Sequence, residues 1–104
     1  MELEVGMYVR TETGQIGKIT NFDGAMARVD TDKFIAYKDF NSEITKASHN
    51  IIDLIEVEDY VNGMKVEDIS LSYFEGGDGS YSVGFDEIES IVTKEQFEGM
   101  KYVI

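Results

Sequence analysis

Apolar and β-branched residues fall in short runs, and Gly, Asn and Asp separate them. That pattern predicts short strands joined by tight turns. The spacing predicts a strand over Val5–Arg10, a turn at Thr11–Gly14 and a second strand over Gln15–Phe22. Asp23-Gly24 is a two-residue hairpin signal, and strands over Ala25–Asp30 and Lys33–Lys38 follow around a Thr31-Asp32 turn. Residues 39–49 read as irregular or as containing a helical turn. The apolar run Asn50–Glu56 reads as the element that closes the module.

The second half repeats this plan. Asp59–Val61 and Met64–Ser70 flank Asn62-Gly63, a type I′ turn signal. Leu71–Glu75 and Tyr81–Phe85 flank the Gly76-Gly77-Asp78-Gly79 tip, and Glu87–Val92 reads as a further strand. Thr93-Lys94-Glu95-Gln96 has the form of a capping box, so a helical turn is expected there. Gly99 offers a left-handed stop, and Met100–Ile104 reads as the closing strand.

The two halves share wording as well as plan. Val5-Gly6-Met7-Tyr8-Val9 lies 52 positions before Val57-Glu58-Asp59-Tyr60-Val61. Gly14 and Gly63 follow, and then the apolar pairs Ile16/Ile19 and Val66/Ile69. Ile44-Thr45-Lys46 lies 48 positions before Val92-Thr93-Lys94, so one copy is about four residues shorter in its middle. The expected fold is all-β: two tandem SH3-like modules, 1–55 and 56–104, with short helical turns. The opening V-G-x-Y-V…G-x-x-G-x-I resembles the KOW-type barrel. A module of this size is marginal alone, so the two are expected to pack together and share a core.

Composition narrows the class. The chain has 104 residues, 42% of them hydrophobic, with neither Cys nor Pro. A disulfide frame and a thiolate metal site are therefore excluded. No apolar run reaches the roughly 18 residues needed to span a bilayer. The acidic start Met1-Glu2-Leu3-Glu4 is unlike a signal peptide. The expected location is the cytoplasm, with no membrane partner.

Charge changes the picture further. Nine Lys+Arg against 21 Asp+Glu give a net charge of −12. Residues 1–56 hold six basic and ten acidic residues, net −4, whereas 57–104 hold three and eleven, net −8. Such a field repels phosphates and anionic lipid and steers toward basic surfaces.

Few residues offer chemistry. His49, the one histidine, sits in a Ser48-His49-Asn50 connector and reads as polar packing rather than as a base. Glu75, Asp78, Asp86, Glu87 and Glu89 supply hard oxygens, but the calcium-loop pattern is missing. No metal, cofactor or catalytic residue is expected. A nucleic-acid module would use the aromatics beside Arg10, Lys18, Arg28, Lys33 and Lys38, yet the surrounding acids weaken phosphate affinity. The inverse reading is preferred: a face of carboxylates with aromatic anchors, meeting an Arg/Lys-rich groove. Its expected residues are Glu67, Asp68, Tyr73, Phe74, Glu75, Asp78, Tyr81, Phe85, Asp86, Glu87 and Glu89. Glu87 and Glu89 are expected on one side of a strand.

Two longer phrases add a resemblance. Lys46-Ala47-Ser48, Asn50 through Val57, and Tyr60-Val61-Asn62-Gly63 form the first, and Ile91 through Phe97 the second. They are similar to small uncharacterised proteins of phages and prophages of Clostridium-like Gram-positive bacteria. The resemblance covers most of the chain and is weakest across 71–86. That family reads V-G-D-Y-V where this chain has Met7 and Glu58. It carries no established activity and implies a phage accessory role. The expected function is non-enzymatic: binding and inhibiting a basic, nucleic-acid-binding host protein, as anti-CRISPR proteins and DNA mimics do. The alternatives are a KOW-like nucleic-acid- or ribosome-binding module and a self-associating structural phage protein.

Overall fold

Strand β1 (Tyr8–Thr11) lies between β2 (Ile16–Asp23) and β5 (Ile44–Ser48), antiparallel to both. β3 (Met26–Thr31) and β4 (Ile35–Asp39) extend the sheet from β2, giving the order β4-β3-β2-β1-β5. The computed structural model describes residues 2–31, 33–39, 42–70, 72–76 and 81–100. Its contacts divide the chain into two units, Met1–Leu54 and Ile55–Ile104. Both units are built from antiparallel strands, so the protein is all-β with minor helical content. No helix among the described residues is long and apolar enough to cross a membrane.

Alternation explains the first sheet. Val9, Ile19, Ala27, Val29 and Ile44 form the buried cluster, with Leu3, Met7, Phe22 and Ala47 packed against it. Cross-strand partners share a face, and the ladder sets Val9 opposite Ala47, and Ile19 opposite Val29. The polar partners Tyr8, Lys18 and Asp30 occupy the other face. Arg10 is an exception, 1% exposed, and its Nη1 donates to the Leu54 carbonyl at 2.9 Å. That bond holds the end of the 3₁₀ turn Ile51–Leu54 against the sheet.

The second unit runs β6 (Tyr60–Val61), β7 (Met64–Lys65), β8 (Asp68–Ile69), β9 (Tyr73–Gly76), β10 (Tyr81–Gly84), β11 (Ile91–Val92) and helix α1 (Lys94–Met100). Its sheets are β11-β6-β7 and β10-β9-β8. This is the first unit's pairing order, with the second strand interrupted at Val66 and Glu67 into β7 and β8.

The hydrogen bonds repeat too. Gly6 N–H donates to the Ile19 carbonyl at 2.8 Å, and Ile19 N–H returns to Met7 at 2.9 Å. Glu58 N–H donates to Val66 at 2.7 Å, and Val66 N–H returns to Asp59 at 2.8 Å. Ile19 and Val66 are both fully buried, as are Val9 and Val61. Sequence spacing equated Ile16 with Val66, whereas the hydrogen bonds equate Ile19 with Val66. The shortening lies in the first hairpin, where the Asn62-Gly63 turn replaces a longer loop.

Several expected elements differ. The fifth strand of the first unit is 44–48, inside the segment read as irregular, and Asn50–Glu56 contains the 3₁₀ turn instead of a closing strand. The Ile44-Thr45-Lys46 and Val92-Thr93-Lys94 match is not structural. Ile44 pairs with Thr11 at the far end of β1, whereas Val92 pairs with Tyr60. Thr93 caps a helix rather than joining a strand: Gln96 N–H donates to its Oγ1 at 3.3 Å, and Thr93 N–H donates to Gln96 Oε1 at 3.1 Å. α1 runs through Gly99 to Met100. The strand expected after residue 100 lies outside the described residues. Of Glu87–Val92 only Ile91–Val92 is strand; Phe85–Glu87 is a 3₁₀ turn. The described sheets are open, with β4 and β5 at the edges of the first.

Candidate interaction face

β9 decides what the second unit shows to solvent. Its burial alternates: Tyr73 is exposed, Phe74 fully buried, Glu75 half-buried and Gly76 buried. Gly76 is required by close approach, since a Cβ there would meet the Lys65 carbonyl and the Met64 side chain. Phe74 packs on Phe85 with ring centroids 4.7 Å apart, and burying such a ring stabilises the unit by about 2 kcal/mol. Phe74 is therefore a core residue, which corrects its expected role as a surface anchor, and Phe85 is half-buried against it.

The outward face collects carboxylates. Glu75 lies opposite Asp68 on β8 and Ser82 on β10, and Tyr73 lies opposite Gly84. Directly opposed residues project to the same side of a sheet, so Asp68, Glu75, Ser82 and Tyr73 share one face. A Cβ on Gly84 would point to this face too. It would meet Asp86 Oδ1 at 2.7 Å and Glu87 Oε1 at 3.0 Å. The Asp86 and Glu87 carboxylates thus fold back over Gly84, toward Tyr73. Four of the expected acidic residues stand together on the side away from Phe74. Ile69 (38% exposed) and Tyr73 (36% exposed) line an open depression with Ser70 and Ser72 at the β8–β9 turn.

Asn62 shapes the approach to this face. Its backbone is left-handed, φ 50°, as the Asn62-Gly63 turn requires. Its Nδ2 donates to the Glu87 carbonyl at 2.8 Å, and its Oδ1 accepts from Glu89 N–H at 2.7 Å and Ser90 N–H at 3.0 Å. These bonds claim the backbone that a strand over 87–90 would have used. Glu87 and Glu89 therefore do not line one side of a strand, as the sequence had suggested. Glu89 and Glu67 are exposed but lie in connections, outside the ladder that defines the face. Asp78 and the Tyr81 side chain lie outside the described residues.

Other acids are structural. Asp59 is fully buried, and its carboxylate accepts from Glu56 N–H at 2.8 Å and from Lys94 N–H at 2.9 Å. Its buried position follows from its place two residues before Val61, at the mouth of the hairpin. Glu56 pairs with Lys94 at 2.7 Å. That hydrogen bond is the main cause that raises the Lys94 ammonium above its ordinary value, and Asp59 and Glu95 add to it against partial desolvation.

Four basic residues of the first unit are engaged. Arg10 is buried, Lys18 Nζ sits 5.6 Å from the Tyr8 ring centroid, Arg28 pairs with Asp30 at 3.3 Å, and Lys38 with Glu43 at 3.6 Å. Ser48 Oγ donates to Asp53 at 2.6 Å and His49 Nε2 meets Glu4 at 2.9 Å, so the neighbouring hydroxyl and imidazole face different partners. Among the described residues no three His, Asp or Glu side chains cluster to hold a metal. In comparisons with known proteins, the chain matches no family model, no curated protein and no solved structure.

Proposed function

We propose that this chain is a non-enzymatic binding protein whose second unit sets an acidic face against an arginine- and lysine-rich surface of another protein. The observation that carries the reading is the shared projection of Asp68, Glu75, Asp86 and Glu87, opposite the buried Phe74. Asp68 and Glu75, paired about 4.8 Å apart across strands, and the Asp86 and Glu87 carboxylates folded over Gly84 offer bidentate partners to guanidinium groups. Tyr73 adds an apolar contact at the margin of the same face, and aromatic anchors beside charged rims carry binding energy.

The natural counterpart is a protein that binds nucleic acid, because its groove already selects closely spaced negative charge. Occupying that groove blocks it, which is the action of a DNA-mimic or anti-CRISPR-like inhibitor. The phage-like phrases at 46–63 and 91–97 favour an accessory role in a bacterial cell. The strand order β5-β1-β2-β3-β4, repeated in the second unit, favours SH3-like modules. A nucleic-acid-binding module is disfavoured by the buried Arg10 and by the carboxylate partners of Arg28 and Lys38.

The test is binding to a panel of basic nucleases and replication proteins across a salt titration. Binding should weaken as salt rises and be lost in the double variant Glu75→Lys plus Glu87→Lys. A control charge change at the exposed Glu12 should preserve it. Equal binding by the double variant would refute the acidic-face reading.

A further inference from the structure

Strand β4 is an edge of the first sheet and is unusually apolar for one. Phe34 is 47% exposed, Ile35 52% and Tyr37 56%. Edge strands are normally blunted by charge, proline or a bulge, because their open backbone invites another strand. Here the outward-facing side chains are an isoleucine and a tyrosine.

Hydrogen-bond parity tells which backbone groups are open. Thr31 N–H donates to the Phe34 carbonyl at 2.9 Å, so Thr31 and Phe34 form a bonded pair. Alternation along an antiparallel ladder makes Val29/Ala36 and Ala27/Lys38 the next bonded pairs in the observed register. The amides and carbonyls of Ile35 and Tyr37 therefore point away from β3. Asp39 ends the open stretch: its N–H donates to Glu43 Oε1 at 3.1 Å, and its carbonyl accepts from Ser42 and Glu43.

We infer that β4 pairs with β4 of a second copy of this chain, antiparallel, about a two-fold axis at Ala36. Ile35 then exchanges backbone bonds with Tyr37 of the partner copy, and both open residues of each edge are used. The same register sets Lys33 opposite Asp39 and Phe34 opposite Lys38. It thus places unlike charges together at both ends and an ammonium beside a ring. Shifting by two residues in one direction puts Lys33 opposite Tyr37. A shift in the other direction sets Ile35 against Asp39, whose backbone is already occupied. One register satisfies backbone, charge and apolar groups together, and this self-complementarity selects a second copy over a foreign strand. The product is a ten-stranded antiparallel sheet, from two five-stranded sheets.

Each copy carries −12, so repulsion opposes the dimer and salt favours it. Sedimentation of the full chain should show a monomer–dimer equilibrium that moves toward dimer as salt and concentration rise. Tyr37→Pro removes an outward N–H without touching the bonded pairs to β3, a tolerated use of proline at an edge, and should be folded and monomeric. Because the chain has no cysteine, Ala36→Cys provides an independent reading. Non-bonded antiparallel partners lie about 4.5 Å apart at Cα, within disulfide reach of about 4.4–6.8 Å. Mild oxidation should yield a covalent dimer from Ala36→Cys and little from Lys65→Cys, an exposed residue on another edge strand, β7. A single chain mass at every concentration and salt would overturn the inference. So would a folded Tyr37→Pro protein that still dimerises, or equal cross-linking of the two cysteine variants. If Tyr37→Pro does not fold, the cysteine pair decides alone. The acidic-face variant Glu75→Lys plus Glu87→Lys should dimerise as before, so failure of that reading and failure of this one are read separately.

Discussion

Gly6 and Glu58 adopt the same left-handed backbone, φ 95° and φ 80°, at matching positions of two copies of one hairpin. Each donates its N–H to the carbonyl of a fully buried aliphatic residue, Ile19 in β2 and Val66 just after β7. Glycine adopts this conformation freely, whereas a side chain at Cβ costs about 1–2 kcal/mol there. Glu58→Gly should therefore stabilise the protein by about 1 kcal/mol in chemical denaturation, after the entropy glycine adds to the unfolded chain. Gly6→Ala should cost about 1 kcal/mol from backbone strain alone, since no atom lies within 4 Å of its Cβ position. A destabilised Glu58→Gly protein would mean that the Glu58 side chain has a role the backbone argument omits.

Asp59 stands next to that strained position and ties two segments together. With no exposed surface, it accepts from Glu56 N–H and from the first helical amide, Lys94 N–H. Removing the acceptor leaves two donors without their charged partner, each worth about 1.5–3 kcal/mol. Asp59→Ala should lower stability by about 3 kcal/mol and loosen α1. Amide exchange at Lys94 and Glu95 would report that loosening, and unchanged protection there would contradict the tether.

The legible parts of the fold were those set by local chemistry. Asn62-Gly63 turns as its residue types require, both residues left-handed at φ 50° and φ 81°, whereas the first hairpin turns one residue later than Asp23-Gly24: Asp23 pairs with Met26, and Gly24 at φ 61° opens the turn. Thr93 and Gln96 cap α1 through the reciprocal bonds their spacing implied. What failed depended on partners distant in sequence. Glu87–Ser90 alternate like a strand, but Asn62, about 25 residues earlier, takes their backbone bonds. Phe74 looked like an anchor beside acids, yet pleating turns it inward onto Phe85 while Tyr73 and Glu75 face out. Asp59 carries a surface residue's chemistry in a buried place because a helix N-terminus arrives from residue 94. The acidic face was legible in composition, but Asp86 and Glu87 joined it through a 3₁₀ turn over Gly84 that no periodicity signals.

Lys94 gives the second unit a pH signature. Its ammonium titrates above the ordinary lysine value, chiefly through the hydrogen bond to Glu56. A raised folded value means that the charged form is favoured by folding. The contribution is complete below the unfolded value of about 10.4 and is lost as pH rises through the folded one. The pair is partly exposed, 39% at Lys94, so it is worth about 0.5 kcal/mol. Denaturation midpoints of wild type and Glu56→Gln should differ at neutral pH and converge above the lysine range. A gap that persists at high pH would assign the effect of Glu56 to something other than this ion pair.

The proposed binding face should oppose folding slightly, because its charges repel. Asp68 and Glu75 lie directly opposite each other across β8 and β9, and like charges so placed destabilise by about 0.2–1 kcal/mol. Glu75→Lys turns the repulsion into attraction and leaves the local bond from Ile69 N–H to Asp68 Oδ1 intact. The variant should be more stable than wild type by about 0.5–1 kcal/mol at low salt. The gain should shrink as salt screens both interactions. The same variant should lose affinity for a basic partner. Gain in stability with loss of binding is the mark of a surface kept for function, because solubility alone does not require carboxylates to face each other. A Glu75→Lys protein no more stable than wild type at low salt would show that these two carboxylates do not feel each other, and the dense acidic face would lose its physical basis.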